Sequence, residues 1–307
     1  MSKDILSVLD MRENLGFIIA ESLKMKSEHV KKIVSKHPPF VNKNFALVFE
    51  KPSLRTKASF AVAIHQLGGT CVFMGPEEVQ VGKRESASDV GKVLSRYFDG
   101  IVYRGFSHEN VVALAEGASI PVINALDELE HPCQAVADLM TLNEKKGVLK
   151  GKKLAYVGDS NNVCNSLLLA CSVIGMDMSV ASPTNYQPKQ QIMSQVEKIT
   201  STSGAKIEVM TNPFKAVDNA DVVYTDVWIS MGQESDHEAK AKLLMPYQVS
   251  NKLMSKAKPD ALFMHCMPAH RGLEVLPEVI DGDRSIVFDQ AENRLYAHKA
   301  ILELAMQ

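Results

Sequence analysis

What this 307-residue chain lacks narrows its function before any motif is read. It has no charge excess, since 34 basic residues stand against 36 acidic ones for a net charge of −2. No global field attracts nucleic acid or an anionic membrane, so any affinity for anions must be built locally. No apolar run is long enough to span a bilayer. The opening MSKDILSVLDMRENLG puts acidic side chains where a signal peptide needs an uninterrupted apolar stretch, so no leader is expected. Cys71, Cys133, Cys164, Cys171 and Cys266 are odd in number, widely spaced and without a CxxC, which argues against a disulfide framework or a structural zinc site. Repeats and low-complexity tracts are also missing. The expectation is a reduced, cytoplasmic protein of enzyme size.

What is there is ordinary in bulk, with 46% hydrophobic and 23% charged residues, and the chain is long enough for one large core or two medium ones. Short β-rich runs predict strands at Phe45–Phe49, Thr70–Phe73, Gly100–Tyr103 and Pro121–Asn124. A second set follows at Lys153–Val157, Met178–Ala181, Lys206–Val209, Asp221–Tyr224, Ala261–Met264 and Ile286–Phe288. Amphipathic stretches lie between them, among them Ala58–Leu67, Ala87–Tyr97, Gln134–Asn143 and Asn165–Ile174. Such alternation with few hairpin signals predicts an α/β fold of two lobes, each a mostly parallel sheet flanked by helices. The polar break NEKKGVLKGKK, from Asn143 to Lys153, marks the boundary. The final DQAENRLYAHKAILELAMQ reads as a long helix, which the residues alone assign to neither lobe.

In open parallel sheets, ligands bind at the carboxyl ends of strands, and the unusual polar clusters of this chain all follow predicted strands. FEKPSLRTKASF packs three cations and three hydroxyls into the nine residues from Lys51 to Ser59. Ser53 is a plausible N-cap, and a helix start flanked by Lys51, Arg55 and Thr56 suits a phosphate. The competing reading is a capped helix with surface cations, and the glycines of a Walker loop are absent. HPCQ, from His131 to Gln134, can offer a donor to a carbonyl and an acceptor to an NH₂ group, or can simply turn the chain into a helix. Arg104 ends DGIVYRG. VGDSNNVCNS has one glycine where a dinucleotide fingerprint needs three, and its Asp159, Asn161 and Asn162 suit a small polar ligand better than a pyrophosphate. Asp226, in TDVWISMGQE, can pair with an ammonium or serve as a loop aspartate. Cys266, in HCMPAHRG, is either a nucleophile beside His265 or His270 or a structural cysteine. Arg294, in ENR, would alone be a surface charge.

Together, and in this order, FEKPSLRT, HPCQ, GDSNN, DVWISMGQE, HCMPAHRG and ENR resemble the aspartate/ornithine carbamoyltransferase family over nearly the whole chain. The resemblance implies two lobes linked by interdomain helices: residues 1–145 with a C-terminal helix 290–307 for carbamoyl phosphate, and residues 146–289 for ornithine. It implies that Ser53, Arg55, Thr56 and the Leu54 N–H hold the phosphate, with Lys51 preceding them. Arg104 and His131 would meet the carbamoyl oxygen, Gln134 its nitrogen, and Arg294 would be a further cation nearby. Asn162, Asp226, Ser230 and Met231 match the positions for the α-amino and α-carboxylate end of ornithine. Cys266 and the Met267 carbonyl match the δ-amino end. The SMG signature and Cys266 favour ornithine over aspartate. Leu54 stands where threonine is more usual, and Lys57 replaces arginine, keeping charge but losing the bidentate fork.

The implied reaction is direct attack of ornithine's δ-amine on carbamoyl phosphate through a tetrahedral intermediate, giving citrulline and phosphate, with no metal or cofactor required. Preorganised donors at the carbonyl oxygen would supply the largest contribution. Cys266 and Asp226 are expected to position ornithine rather than to form a covalent intermediate. The two-lobed cleft predicts closure, with Ser230–Gln233 as lid. The family's homotrimers, or multiples of them, make the loop Gly75–Ser86 a candidate to reach a neighbour. Rival readings are a carbamoyltransferase for putrescine or an N-acylated ornithine, an NAD-dependent oxidoreductase, and a non-catalytic binding paralogue.

Overall fold

The computed structural model describes residues 4–33, 35–228 and 237–307. The chain forms two compact units, Met1–Lys145 with Glu292–Gln307, and Lys146–Ala291.

In the first unit, β1 (Asn44–Phe49), β2 (Thr70–Met74), β3 (Gly100–Arg104) and β4 (Val122–Leu126) pair in parallel in the order β2-β1-β3-β4. β1 is buried except at its first residue and β3 throughout. Burial on both faces is why both read as unbroken apolar runs rather than alternating ones. Helices Leu54–Gln66, Ala87–Leu94 and His108–Gly117 return the chain between strands, and Pro132–Lys146 follows β4. Val111 and Leu114 of one of these helices pack with Ala46, Val48, Ile101 and Tyr103 of the sheet. β1 leads to β2 on one side, and the chain then comes back to β3 on the other. This reversal opens a crevice at the carboxyl ends of β1 and β3, where Phe49 and Arg104 are register partners.

In the second unit, β5 (Lys153–Val157), β6 (Asp177–Ala181), β7 (Ile207–Met210), β8 (Val222–Tyr224) and β9 (Leu262–Met264) are parallel in the order β7-β6-β5-β8-β9. Here the order reverses between β5 and β8. Trp228 is fully enclosed with Val157, Val223 and Phe263. Gly158, just after β5, has φ 129, and a Cβ there would come 3.1 Å from the Trp228 indole nitrogen. The tight turn therefore needs glycine at this one position.

The strand expected at Ile286–Phe288 does not form. Ser285 makes a single bridge to Phe263, and the chain enters a helix at Val287 that continues to Ala305. The β-branched pair Ile286-Val287 imitates a strand locally. An acidic residue in the first turn, Asp289, and the long helical pattern that follows decide the outcome. Other boundaries differ from expectation by a few residues, as frayed and capped ends do. Among the described residues, no helix is long and apolar enough to cross a membrane.

Candidate active site

The first unit gathers its cations at the β1–β3 crevice. Ser53 is extended (φ −160, ψ 109) and its hydroxyl accepts from the Thr56 N–H at 3.3 Å, which caps the helix Leu54–Gln66. The leading N–H groups of that helix, with its positive dipole end, face the turn Glu50–Ser53. Thr56 is fully buried, and its Oγ1 accepts from Arg104 Nη1 at 3.2 Å and from Arg294 Nη2 at 2.5 Å. Two guanidiniums occupy both lone pairs of one hydroxyl, so the Thr56 O–H is left as a donor. Arg55 is half-buried, and its guanidinium makes no hydrogen bond or ion pair among the described residues. Lys51 lies 4.4 Å from the centroid of the Phe106 ring; burial, then the charge of Arg104, pushes its ammonium below the ordinary lysine range.

The HPCQ turn completes this cluster. Asp127, itself buried, accepts the N–H groups of Leu129 and Glu130 at 2.7 Å each, and Glu130 receives Ser7 Oγ and the Val8 N–H. These bonds fix the loop that delivers His131 to the start of the helix Pro132–Lys146. His131 is 4% exposed. Burial first, then the charges of Arg294 and Arg104, hold its pKa well below the usual range, so it is neutral. Gln134 Nε2 donates to Asp138 Oδ1 at 2.8 Å, which orients the amide and leaves Oε1 as a buried acceptor with no partner among the described residues. The cluster thus presents several cations, a neutral imidazole and one open carbonyl.

The structure also places the two positions where the motif departs from its family. Leu54 is 79% exposed, so its side chain stands in solvent and only its backbone remains available to a ligand. Lys57 is 3.4 Å from the Phe73 ring centroid, parked on an aromatic face rather than on the helix's N-terminal opening.

The second unit gathers its polar groups at the β5–β8–β9 ends. Asp226 is 6% exposed; its Oδ1 accepts the Cys266 thiol at 3.0 Å and its Oδ2 accepts Asn161 Nδ2 at 2.7 Å. Met267 has φ 59 and precedes a cis peptide to Pro268, and its N–H donates to His265 Nδ1 at 2.9 Å. His265 Nδ1 is therefore an acceptor, and its Nε2 lies 3.3 Å from the buried Glu274. Asn162 opens the helix Asn162–Ile174 beside this cluster and is half-buried. Ser230, Met231 and the rest of Ser230–Gln233 lie outside the described residues.

Asp226, His265 and Cys266 bring three ligand-type atoms within 4.8 Å of one another. Each is already engaged in an internal hydrogen bond, which makes the group a positioning network rather than an open coordination set. Glu274 and Asp138 carry weight that the motifs alone did not assign, and Asn161, which the motif suited to a small polar ligand, caps a helix and bonds Asp226. Asn161 had a visible signal, an asparagine directly before a helix. Glu274 and Asp138 had none, because their partners are set only by folding.

The chain matches the family model "Aspartate/ornithine carbamoyltransferase, carbamoyl-P binding domain" over residues 3–144 and its "Asp/Orn binding domain" over residues 150–305. It is 49% identical over 302 residues to an ornithine carbamoyltransferase of Picrophilus torridus, covering 98% of each chain. It is 50% identical over 303 residues to a catabolic ornithine carbamoyltransferase of Thermoplasma acidophilum, again covering 98% of each. Its fold superposes on the solved ornithine carbamoyltransferase of Pyrococcus furiosus with a TM-score of 0.96 at 44% identity, over 99% of this chain and 97% of that one.

Proposed function

The chain belongs to the aspartate/ornithine carbamoyltransferase family, and on that premise we propose that it transfers the carbamoyl group of carbamoyl phosphate to the δ-amine of L-ornithine. The products are L-citrulline and phosphate. The observation that carries the reading is the convergence of Arg104 and Arg294 on Thr56, beside a neutral His131 and the open Oε1 of Gln134. A carbamoyl group needs donors at its oxygen and an acceptor at its NH₂, and its phosphate needs cations and N–H groups.

In this reading Ser53, Arg55, Thr56, Lys51 and the Leu54 N–H hold the phosphate. Arg104, His131 and the Thr56 hydroxyl meet the carbonyl oxygen, Gln134 Oε1 accepts from the carbamoyl nitrogen, and Arg294 adds charge nearby. Attack by the amine forms the new C–N bond and moves the carbonyl π electrons onto oxygen. The donors there stabilise that oxyanion; removing one such donor costs about 10²–10³ in kcat in comparable sites. Collapse of the intermediate breaks the C–O bond; phosphate leaves with the electron pair into the cationic crevice and takes up the proton that the attacking nitrogen must lose to give citrulline. Because His131 is neutral it donates without adding a proton to the substrate.

The acceptor's α-ammonium pairs with Asp226, its α-carboxylate with Asn162 and the Ser230–Met231 segment, and its δ-amine with Cys266 and the Met267 carbonyl. That amine has a solution pKa of roughly 10 and must lose a proton before attack; an enclosed site favours its neutral form. A homotrimer, or a multiple of it, belongs to this reading. Leu54 and Phe106, 79% and 50% exposed on the rim of the phosphate crevice, support a covering neighbour. A cytoplasmic setting also belongs to it, supported by the sparse, widely spaced cysteines.

The test is carbamoyl phosphate offered with ornithine, putrescine, N-acetylornithine and aspartate in parallel, scoring phosphate and ureido product. Ornithine should turn over fastest. Faster turnover with any other acceptor overturns the specificity.

A further inference from the structure

Asn161 is left out of the roles above, yet it joins the loops that carry them. Its Oδ1 accepts from the backbone N–H groups of Val163 at 2.9 Å and Cys164 at 3.3 Å, while the nearby Tyr156 hydroxyl gives its proton to the Asp159 carbonyl at 2.9 Å. Two backbone donors on that oxygen decide which way the amide faces. Nδ2 is thereby turned to Asp226, donating to Oδ2 at 2.7 Å, while the Cys266 thiol meets Oδ1 at 3.0 Å. The turn after β5 is in this way wired to the loop after β8 and, through one carboxylate, to the loop after β9. Asp226 is 6% exposed, so solvent does little to orient it.

We propose that Asn161 is a positioning residue for the acceptor amino acid, holding the Asp226 carboxylate so that its remaining lone pairs face the acceptor's ammonium. This rests on the ammonium-binding role given to Asp226. The physical cause is the fixed N-cap: the backbone of the helix Asn162–Ile174 pins one end of the amide, and the other end can only donate. A carboxylate held at one oxygen by an amide and at the other by a thiol cannot rotate away from its ligand. Losing the amide frees that rotation and weakens the charge-assisted bond to the ammonium.

Asn161→Ser and Asn161→Asp test this. Serine and aspartate cap helices about as well as asparagine, so both variants keep the helix start. The serine hydroxyl is too short to reach Asp226, and the aspartate sets an acceptor where the donor stood. The measurements are thermal midpoint, kcat, and KM for ornithine and for carbamoyl phosphate. The proposal predicts midpoints within a few degrees of wild type and an unchanged carbamoyl phosphate KM. It also predicts an ornithine KM raised about tenfold in Asn161→Ser and further in Asn161→Asp. If Asn161→Ser melts early, the nearly isosteric Asn161→Asp decides alone. Wild-type ornithine KM in both variants, or equal rises in both KM values, overturns the proposal. A wild type inert toward ornithine overturns the functional reading and this inference with it; an active wild type with indifferent variants overturns this inference alone.

Discussion

Replacing Thr56 by valine removes one oxygen atom and little else, because the two side chains have nearly the same shape. That oxygen accepts from Arg104 and from Arg294, and it is buried with no water-facing surface. A hydrogen bond to a charged group contributes about 1.5–3 kcal/mol. Both guanidiniums keep other contacts, so the loss of aim at the ligand is taken as that of one such bond rather than two. By the relation of 1.4 kcal/mol per tenfold, carbamoyl phosphate affinity falls about 10- to 150-fold. Thr56→Ser retains the hydroxyl and serves as the control, with affinity near wild type. The assay is calorimetric titration with carbamoyl phosphate, or with a non-hydrolysable phosphonate analogue to avoid decomposition. A Thr56→Val protein that binds within twofold of Thr56→Ser would refute the argument that this hydroxyl organises the crevice.

Further outcomes follow from the same geometry. Arg55→Gln should weaken carbamoyl phosphate about 10- to 150-fold, the worth of one charged hydrogen bond, whereas Lys57→Gln should change it less than about threefold, since that ammonium rests on Phe73 at 3.4 Å; parallel titrations decide. His131 and the enclosed His298 both resist protonation, chiefly through burial. The unfolded chain takes up protons below about pH 6.5 that the folded one refuses. Stability is therefore retained above that pH and lost as pH falls below it, by up to about 1.4 kcal/mol per pH unit for each histidine. Urea unfolding at several pH values should show this slope, and His298→Gln should reduce it. Cys266→Ala should lower kcat and raise the ornithine KM, and mass spectrometry of wild type with carbamoyl phosphate alone should show no carbamoyl-cysteine.

Much of this fold was legible because its central strands are buried on both faces. Phe45–Phe49 and Gly100–Tyr103 could be read as strands from apolar runs alone, and the polar residues that follow them sit where parallel sheets bind ligands. Ile286–Phe288 failed for the same reason that the others succeeded: three apolar residues, two of them β-branched, look alike at the end of a strand and at the start of a buried helix. The chemistry that survives folding best in sequence is what one loop carries by itself, such as the Ser53 cap before Arg55 and Thr56. Pairings between distant segments were not legible. Thr56 meets Arg294 across most of the chain, and the Asn161–Asp226–Cys266 line draws on three separate loops. Nor was the neighbour of Lys57, the face of Phe73, legible from its charge.

Single-turnover rapid quench with labelled carbamoyl phosphate and excess enzyme separates direct transfer from a route through a carbamoyl-enzyme. Direct transfer gives no phosphate burst without ornithine, then phosphate and citrulline appearing together at one rate once ornithine is added. Stoichiometric phosphate release before ornithine, with label retained on the protein, would contradict it.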